Sequence, residues 1–281
     1  MSSFTPAAPT QTSDAVAGRL GADRPGAADP FDIPVLRPSA GGTAERFAAR
    51  FPQGHPVRVF FAALVLGFLV VAVLSIGVGE LVKHALLPAA GIGSGDESVN
   101  VWLAAHRDPT RTDVSLVGST VGGAPVLPIL VGLIALGFAS LRHWRLAAYV
   151  VFGLAVESAL YRVTTLFVHR DRQGVVRLDH LPVDASYPSG HTAASVAVYS
   201  GLALLLTSRY TNGRLRIVAW TAAVLMTLFV AASRMYRGMH HPIDVAAGAL
   251  LGMAALVIIV FACRAAAAAG PHTRRDRGRR A

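Results

Sequence analysis

The chain has 281 residues, of which 53% are hydrophobic and only 15% charged, whereas a soluble domain averages about 25% charged residues. Because the apolar residues are concentrated in long runs, this composition excludes an ordinary soluble protein. The net charge is +10, but most arginines lie between or beyond the apolar runs, which favours anionic membrane lipids over nucleic acid as their partner.

The first 55 residues are predicted to form a disordered tail. Up to about residue 45 they are rich in Ala, Pro, Gly, Ser and Thr, so they bury too little apolar surface to fold alone. They also lack the basic start and short apolar core of a cleavable signal peptide. The first apolar run is therefore expected to act as a signal anchor. A second, basic disordered tail is expected over residues 265–281.

Six apolar runs within residues 56–264 predict an all-α integral membrane protein with six transmembrane helices. The third run contains Glu157 and Arg162, and the fourth and fifth are near the lower limit of about 17 residues for a span. The second contains Gly122, Gly123, Pro125 and Pro128 close together, which predict a kink. The runs are Val59–Gly79, Val114–Leu141, Leu146–Val168, Thr192–Thr207, Ile217–Ser233 and Val245–Cys263.

The arginines predict the orientation of these helices. They cluster before the first run, between the second and third, between the fourth and fifth, and after the sixth. All four segments fall on one side of a six-span protein, and positively charged segments stay in the cytoplasm. Both termini are therefore predicted to be cytoplasmic, with the protein in the plasma membrane. The outer loops 169–191 and 234–244 break this charge rule and need another explanation.

The outer loops contain groups that can bind and attack phosphate. Ser189 is a suitable N-cap and Gly190 allows a ligand to approach closely, so the start of the fourth helix forms an anion site. Asp244 follows His240 by four residues, so it is expected to fix the imidazole tautomer and leave the other nitrogen free to attack.

Further side chains at the same depth support this chemistry. Arg172 and Arg234 can bind phosphate oxygens with forked donors. His191 is placed to protonate the leaving oxygen. Two histidines and several guanidinium groups around one anion site favour phosphoryl transfer, in which positioning and charge stabilisation dominate catalysis.

Two segments resemble signatures of the type 2 phosphatidic acid phosphatase and vanadium haloperoxidase superfamily, and the resemblance covers about residues 110–262. They match at full spacing and in the right order: Pro188-Ser189-Gly190-His191, and Ser233-Arg234, five residues, His240, three residues and Asp244. The family's first signature, Lys, six residues and Arg-Pro, is degenerate. Thr165 and Gln173 replace its Lys and Pro around Arg172, and Arg162 is a candidate for the missing cation.

The resemblance implies a lipid phosphatase that uses no metal and no cofactor. His240 would form a phosphohistidine, Asp244 would orient it, and His191 would act first as acid and then as base. The phosphate would be held by Arg172, Arg234, Ser189 and Gly190, and Arg170 would bind it too or support the site from behind. The expected partners are membrane lipids and a lipid phosphate substrate: undecaprenyl or another polyprenyl diphosphate, phosphatidic acid or phosphatidylglycerol phosphate.

Several alternatives stay open. The same intermediate would serve a phosphotransferase that passes the phosphoryl group to an alcohol. A transporter is disfavoured because the charges gather at one face instead of the midplane. A metal on His240 and Asp244 is disfavoured by the surrounding arginines. Arg170, Arg177 and Arg237 are expected to snorkel into headgroups, with support of the site as the alternative for Arg170. His241, His180 and Asp184 are expected to take no part. Glu157 is given no role, because a functional group, an ion pair with Arg162 and a polar contact between helices all stay open for it.

Overall fold

The computed structural model describes residues 33–52, 54–89, 91–179 and 185–270. Six helices in these ranges are long and apolar enough to cross a membrane. We number them spans 1 to 6: Pro56–Leu86, Pro109–Ser140, Trp144–Phe167, Gly190–Arg209, Gly213–Tyr236 and Pro242–Ala268. The prediction of an all-α membrane protein with six spans is confirmed.

Three of the spans depart from regular α-helix. Span 1 ends in a π turn, span 2 is interrupted at its glycine and proline residues, as predicted, and span 4 contains a π turn. Their pieces are Pro56–Leu81 and Val82–Leu86 in span 1, Pro109–Val121 and Val126–Ser140 in span 2, and Gly190–Ser195, Val196–Ser200 and Gly201–Arg209 in span 4.

Local sequence determines where the last two spans begin. The side chain of Asn212 accepts hydrogen bonds from the backbone N–H groups of Arg214 and Leu215, which caps span 5. Pro242 is the first residue of span 6, where a missing N–H costs no helical hydrogen bond. The loop between spans 5 and 6 is therefore short, and it carries His240 and His241.

Glycines bring spans 4 and 6 into close contact. A Cβ at Gly248 would lie 2.3 Å from the carbonyl oxygen of Ser189, and one at Gly252 would lie 2.4 Å from that of Ala193. Any side chain at these positions would push the two helices apart. The close packing fixes the start of span 4 relative to the start of span 6, which carry the two matched signatures.

A connecting helix, Ile92–Ala105, links spans 1 and 2 at the end of the molecule that holds His240. Asp96 and Asn100 on one face are buried, whereas Val99 and Trp102 are exposed. The six apolar runs of the sequence predict no helix in this region. Because its buried face is acidic, the helix brings carboxylates to the loops that precede spans 4 and 6.

The chain preceding span 1 is folded in part, which corrects the predicted tail. A 3-10 turn, Pro34–Leu36, and an α-helix, Thr43–Ala49, pack near the end of span 6. Arg145 donates to the carbonyl of Leu36 at 2.9 Å and Arg264 to that of Val35 at 2.7 Å, which holds this segment in place. Span 6 also continues to Ala268, beyond the predicted boundary at 264. The rest of both predicted tails, residues 1–32 and 271–281, lies outside the described ranges.

Candidate active site

His240 is a buried, neutral imidazole whose Nδ1 is already bound. The residue is 2% exposed, and its Nδ1 lies 2.7 Å from the carbonyl oxygen of Ser186. Because a carbonyl can only accept, Nδ1 carries the proton and Nε2 is the basic nitrogen. Burial, followed by the positive charge of Arg234, holds the pKa of His240 well below its usual value. The ring is therefore available as a nucleophile at neutral pH.

Asp244 contacts His241, which corrects the predicted contact with His240. Its Oδ2 accepts from the backbone N–H of His241 at 2.9 Å and lies 3.1 Å from that ring's Nδ1. His241 is the N-cap of span 6 and Asp244 is its third residue, so the two form a capping box. The Ser186 carbonyl takes the predicted place of Asp244 at His240. The negative charge of Asp244 still acts on His240. It raises the pKa of that ring and so offsets part of the lowering caused by burial and by Arg234.

Arg170 is an internal counter-ion, which differs from the predicted phosphate contact. Its Nη2 donates to Asp96 at 2.5 Å and its Nη1 to Asp244 at 2.6 Å, and the side chain is largely buried. The two carboxylates neutralise the guanidinium, and each accepts a hydrogen bond from one of its terminal nitrogens. Arg170 therefore supports the site from behind, which was one expectation for it, and the predicted snorkelling of Arg170 is wrong.

Two acidic residues of the connecting helix extend this network, and sequence reasoning missed both. Glu97 lies 2.8 Å from Nε2 of His241 and accepts from the backbone N–H of Gly174 at 3.1 Å. Asp96 also accepts from the N–H of Ile243 at 3.0 Å. His241 is thus part of the network and not a bystander. The connecting helix ties the loop before span 6 to the loop after span 3.

Arg234 offers unpaired donors inside the protein. It is 1% exposed, and its Nη1 donates to Ser119 at 2.5 Å and to Asp179 at 2.6 Å. Its Nε and Nη2 have no hydrogen-bond partner among the residues that the structure describes. A buried guanidinium with unused donors is costly unless a ligand accepts from it. An anion bound beside His240 would satisfy both groups.

Asp179 positions Arg234 and is the second feature that sequence reasoning missed. It also accepts from Nε and Nη2 of Arg237, at 2.8 and 2.6 Å. Although burial raises the pKa of Asp179, the hydrogen bond from Arg237 and the charge of Arg234 hold it below its usual value. Arg237 is buried, so the predicted snorkelling is wrong. His180 and Asp184, the loop residues considered from the sequence, lie outside the described ranges.

Span 4 begins directly after Ser189, the predicted N-cap. Ser189 occupies the N-cap position, but its hydroxyl pairs with that of Thr192 at 2.9 Å and caps no backbone N–H. The backbone N–H of Ser189 donates to the carbonyl of Asp244 at 2.9 Å. A Cβ at Gly190 would lie 3.0 Å from the Tyr161 ring, so close helix packing requires this glycine. The first turn of span 4 keeps N–H groups for an anion.

His191 and Arg172 both lie close to His240. The charge of Arg172 and the ring of His191 each lower the pKa of His240. Arg172 also donates from Nη1 to the carbonyl of Met239, the residue before His240. A Cβ at Gly123 would lie 3.3 Å from Nε2 of His191, so the break in span 2 makes room for that ring. The predicted site residues are therefore brought together.

Glu157 takes no visible part in this site. Glu157 is buried in span 3, accepts from Ser158 at 3.3 Å and has an unpaired Oε1. Arg162 is exposed, so the ion pair between them that was considered from the sequence is not formed. Within the described ranges, no three His, Cys, Asp or Glu side chains are grouped to hold a metal ion.

Comparison with known proteins identifies the family. A family model described as the PAP2 superfamily matches residues 146–267, the stretch that holds both histidines and their arginines. The predicted resemblance to the PAP2 superfamily is thereby confirmed. The solved structure of a transmembrane PAP2 type phosphatidylglycerolphosphate phosphatase from Bacillus subtilis has the same fold. It gives a TM-score of 0.57 at 23% identity, over 70% of this chain and 92% of that one.

Two curated PAP2-type relatives share part of the sequence. Phosphatidylglycerophosphatase B of Bacillus subtilis (strain 168) is 29% identical over 178 residues, which are 62% of this chain and 85% of the relative. Undecaprenyl-diphosphatase of Sulfolobus acidocaldarius is 40% identical over 75 residues, which are 27% of this chain and 32% of that protein. Together with the family, they confirm the prediction that this chain is an enzyme of the phosphatase class.

The missing Lys of the first PAP2 signature is not replaced by Arg162. Thr165, at the Lys position, is buried and donates to the carbonyl of Tyr161 at 2.9 Å, whereas Arg162 is exposed. We therefore expect Arg162→Ala to leave kcat and KM within about twofold, as for surface substitutions remote from a site. Steady-state kinetics on a lipid phosphate check this. A KM raised tenfold in the variant would show that Arg162 reaches the substrate.

Proposed function

We propose that the protein is a PAP2-type phosphatase that hydrolyses a lipid phosphate or diphosphate through a phosphohistidine at His240. The observation that carries the proposal is the pair of unpaired donors on the buried guanidinium of Arg234. They lie beside an imidazole whose Nδ1 is occupied and whose Nε2 is basic. An anion-binding group next to a neutral nucleophile is what phosphoryl transfer requires.

The first half-reaction forms the covalent intermediate. Nε2 of His240 attacks phosphorus, the bond from phosphorus to the lipid oxygen breaks, and His191 gives a proton to that oxygen. The imidazole becomes positively charged as the new bond forms, and the Ser186 carbonyl stabilises it through the bond to Nδ1. Arg172, Arg234 and the N–H groups at the start of span 4 hold the phosphoryl oxygens.

The second half-reaction restores the enzyme. His191 now accepts a proton from water as the water oxygen attacks phosphorus, the bond from phosphorus to Nε2 breaks, and inorganic phosphate leaves. Asp179 keeps Arg234 in position throughout, since it holds Nη1 at 2.6 Å. His240 and His191 thus divide nucleophilic and acid–base work between them.

The position of the site suits a lipid substrate. It lies at the start of spans 4 and 6 and at the end of span 5. A headgroup at the membrane surface would therefore reach it while the tail stays in the bilayer. The distribution of arginines supports an orientation in which this end faces the extracellular or periplasmic side of the plasma membrane. Undecaprenyl diphosphate, phosphatidic acid and phosphatidylglycerol phosphate are the candidate substrates, and the named relatives act on lipids of the first and third kinds.

Phosphate release from these three lipids tests the proposal. We expect the purified wild type to hydrolyse at least one of them, and Arg234→Met to lower kcat/KM for it by about 100-fold or more, because oxyanion donors are lost. Arg214→Met is the matched control: Arg214 is exposed at the other end of span 5, and its loss should leave kcat/KM unchanged. A wild type inactive on all three lipids, or equal losses in both variants, would contradict the proposal.

A further inference from the structure

A cavity of about 260 Å³ adjoins the active site on the side of the loop that follows span 3. The same loop supplies Arg172, which donates to the residue before His240. A ligand phosphate held by Arg172 would therefore lie at the edge of this cavity. Its lining is mostly polar: His169, Arg170, Asp171, Arg172, Gln173, Arg177 and Ala185.

Gln173 in this lining carries an unused donor and an unused acceptor. The residue is 6% exposed, and within the described part of the chain neither Oε1 nor Nε2 of its amide has a hydrogen-bond partner. Buried polar groups without partners are rare in folded proteins and call for an explanation. Gln173 also stands where the family signature has proline, which offers no side-chain hydrogen bond. Packing of the loop alone does not account for an amide at this position.

We propose that Gln173 and this cavity bind the polar headgroup beyond the scissile phosphate and select a headgroup with a free hydroxyl. The inference rests on the proposed function and deepens it. A hydroxyl both donates and accepts, so it matches Oε1 and Nε2 of one amide together. A second phosphate or an ester oxygen only accepts, so it would pair with Nε2 and leave Oε1 unsatisfied.

This donor and acceptor pattern separates the three candidate lipids. In phosphatidylglycerol phosphate the alcohol released by hydrolysis is a glycerol unit with a free hydroxyl close to the scissile bond. Phosphatidic acid has only ester oxygens near that bond, and undecaprenyl diphosphate has only phosphate oxygens. Gln173 is adjacent in sequence to Arg172 and lines the same cavity. The chain therefore selects phosphatidylglycerol phosphate among the three through Gln173.

Gln173→Met tests the selection, because methionine has nearly the same shape and no amide. We expect the KM for phosphatidylglycerol phosphate to rise about tenfold, as for the loss of one or two neutral hydrogen bonds. The values of kcat/KM for phosphatidic acid and undecaprenyl diphosphate should change less than about twofold. Thr227→Val is the control. It removes a hydroxyl that is also buried and unpaired but lies in the middle of span 5, and it should alter the kinetics for none of the three lipids.

Each result decides the matter. Equal losses of kcat/KM on all three lipids would assign Gln173 to the general support of the site and would overturn the selection. Unchanged kinetics on all three would also overturn it, because the amide would then contact only water. A wild type that hydrolyses the other two lipids but not phosphatidylglycerol phosphate also overturns the selection. If Gln173→Met does not fold, Gln173→Asn, which keeps the amide on a shorter chain, should show the same selective rise in KM. A wild type inactive on every lipid contradicts the proposed function instead.

Discussion

His240→Ala is expected to lower phosphate release by about 10⁴-fold or more, because it removes the attacking nitrogen and no covalent intermediate can form. The ring is buried and held by one hydrogen bond to the Ser186 carbonyl, so the variant should still fold. Phosphate release under single-turnover conditions measures the chemical step directly. The melting temperature of the purified variant shows whether the loss is chemical or structural.

A histidine outside the network gives the matched control for this experiment. His106 is exposed at the end of the connecting helix, where its ring stacks on Trp102. His106→Ala should keep the activity of the wild type within about twofold. If His240→Ala retained a tenth of the wild-type rate while His106→Ala behaved normally, His240 would not be the nucleophile.

Arg170→Ala is expected to cause the largest loss of stability among substitutions near the site. It would leave Asp96 and Asp244 buried without their shared counter-ion, and breaking a buried ion pair in this way costs about 3–5 kcal/mol. Activity should fall as well, because the loops that carry Arg172 and His240 lose their common support. Arg170→Lys should recover only part of both, since an ammonium cannot bind two carboxylates with a planar fork.

An exposed ion pair provides the comparison for Arg170. Arg111 pairs with Asp108 at 3.0 Å, but the pair is open to solvent, with the Arg111 side chain 63% and the Asp108 side chain 41% exposed. Arg111→Ala should therefore change the stability by only about 0–1 kcal/mol. Thermal unfolding of both variants in the same detergent measures the difference. Equal shifts in melting temperature would mean that the network around Arg170 contributes no more than a surface pair.

The features that depend on local sequence could be predicted. Long uncharged runs predict the six spans because their length matches the membrane, and Pro242 and Asn212 mark helix starts through local hydrogen bonding. The two signatures could be located because each is a short continuous segment with fixed spacing. Their meeting at one end of the molecule also follows from the alternation of the spans.

The partners of these residues could not be predicted, because they come from distant parts of the chain. Asp96 and Glu97 reach the site only because the connecting helix folds back over it, and nothing in their own sequence neighbourhood indicates that contact. Asp179 lies in a loop dense in charge, where spacing does not show which carboxylate will pair with Arg234. Tertiary packing decides these contacts.

The misplaced contact of Asp244 has a local cause. Residues three and four apart are both neighbours on a helix, so spacing alone allowed Asp244 to meet His240. Span 6 begins at Pro242, which makes His241 the N-cap and turns the carboxylate towards it. The carbonyl that binds His240 comes from Ser186, 54 residues earlier. A backbone acceptor from another loop leaves no signal in the sequence of the motif.

The phosphorylated intermediate gives the most direct test of the central claim. Wild-type protein would be mixed with a lipid labelled in its terminal phosphate, quenched at high pH within one turnover, digested and mapped by fragmentation that preserves the bond from phosphorus to nitrogen. We predict label on the imidazole of His240 and none on the adjacent His241. Turnover without any labelled histidine, or label confined to His241, would contradict the account.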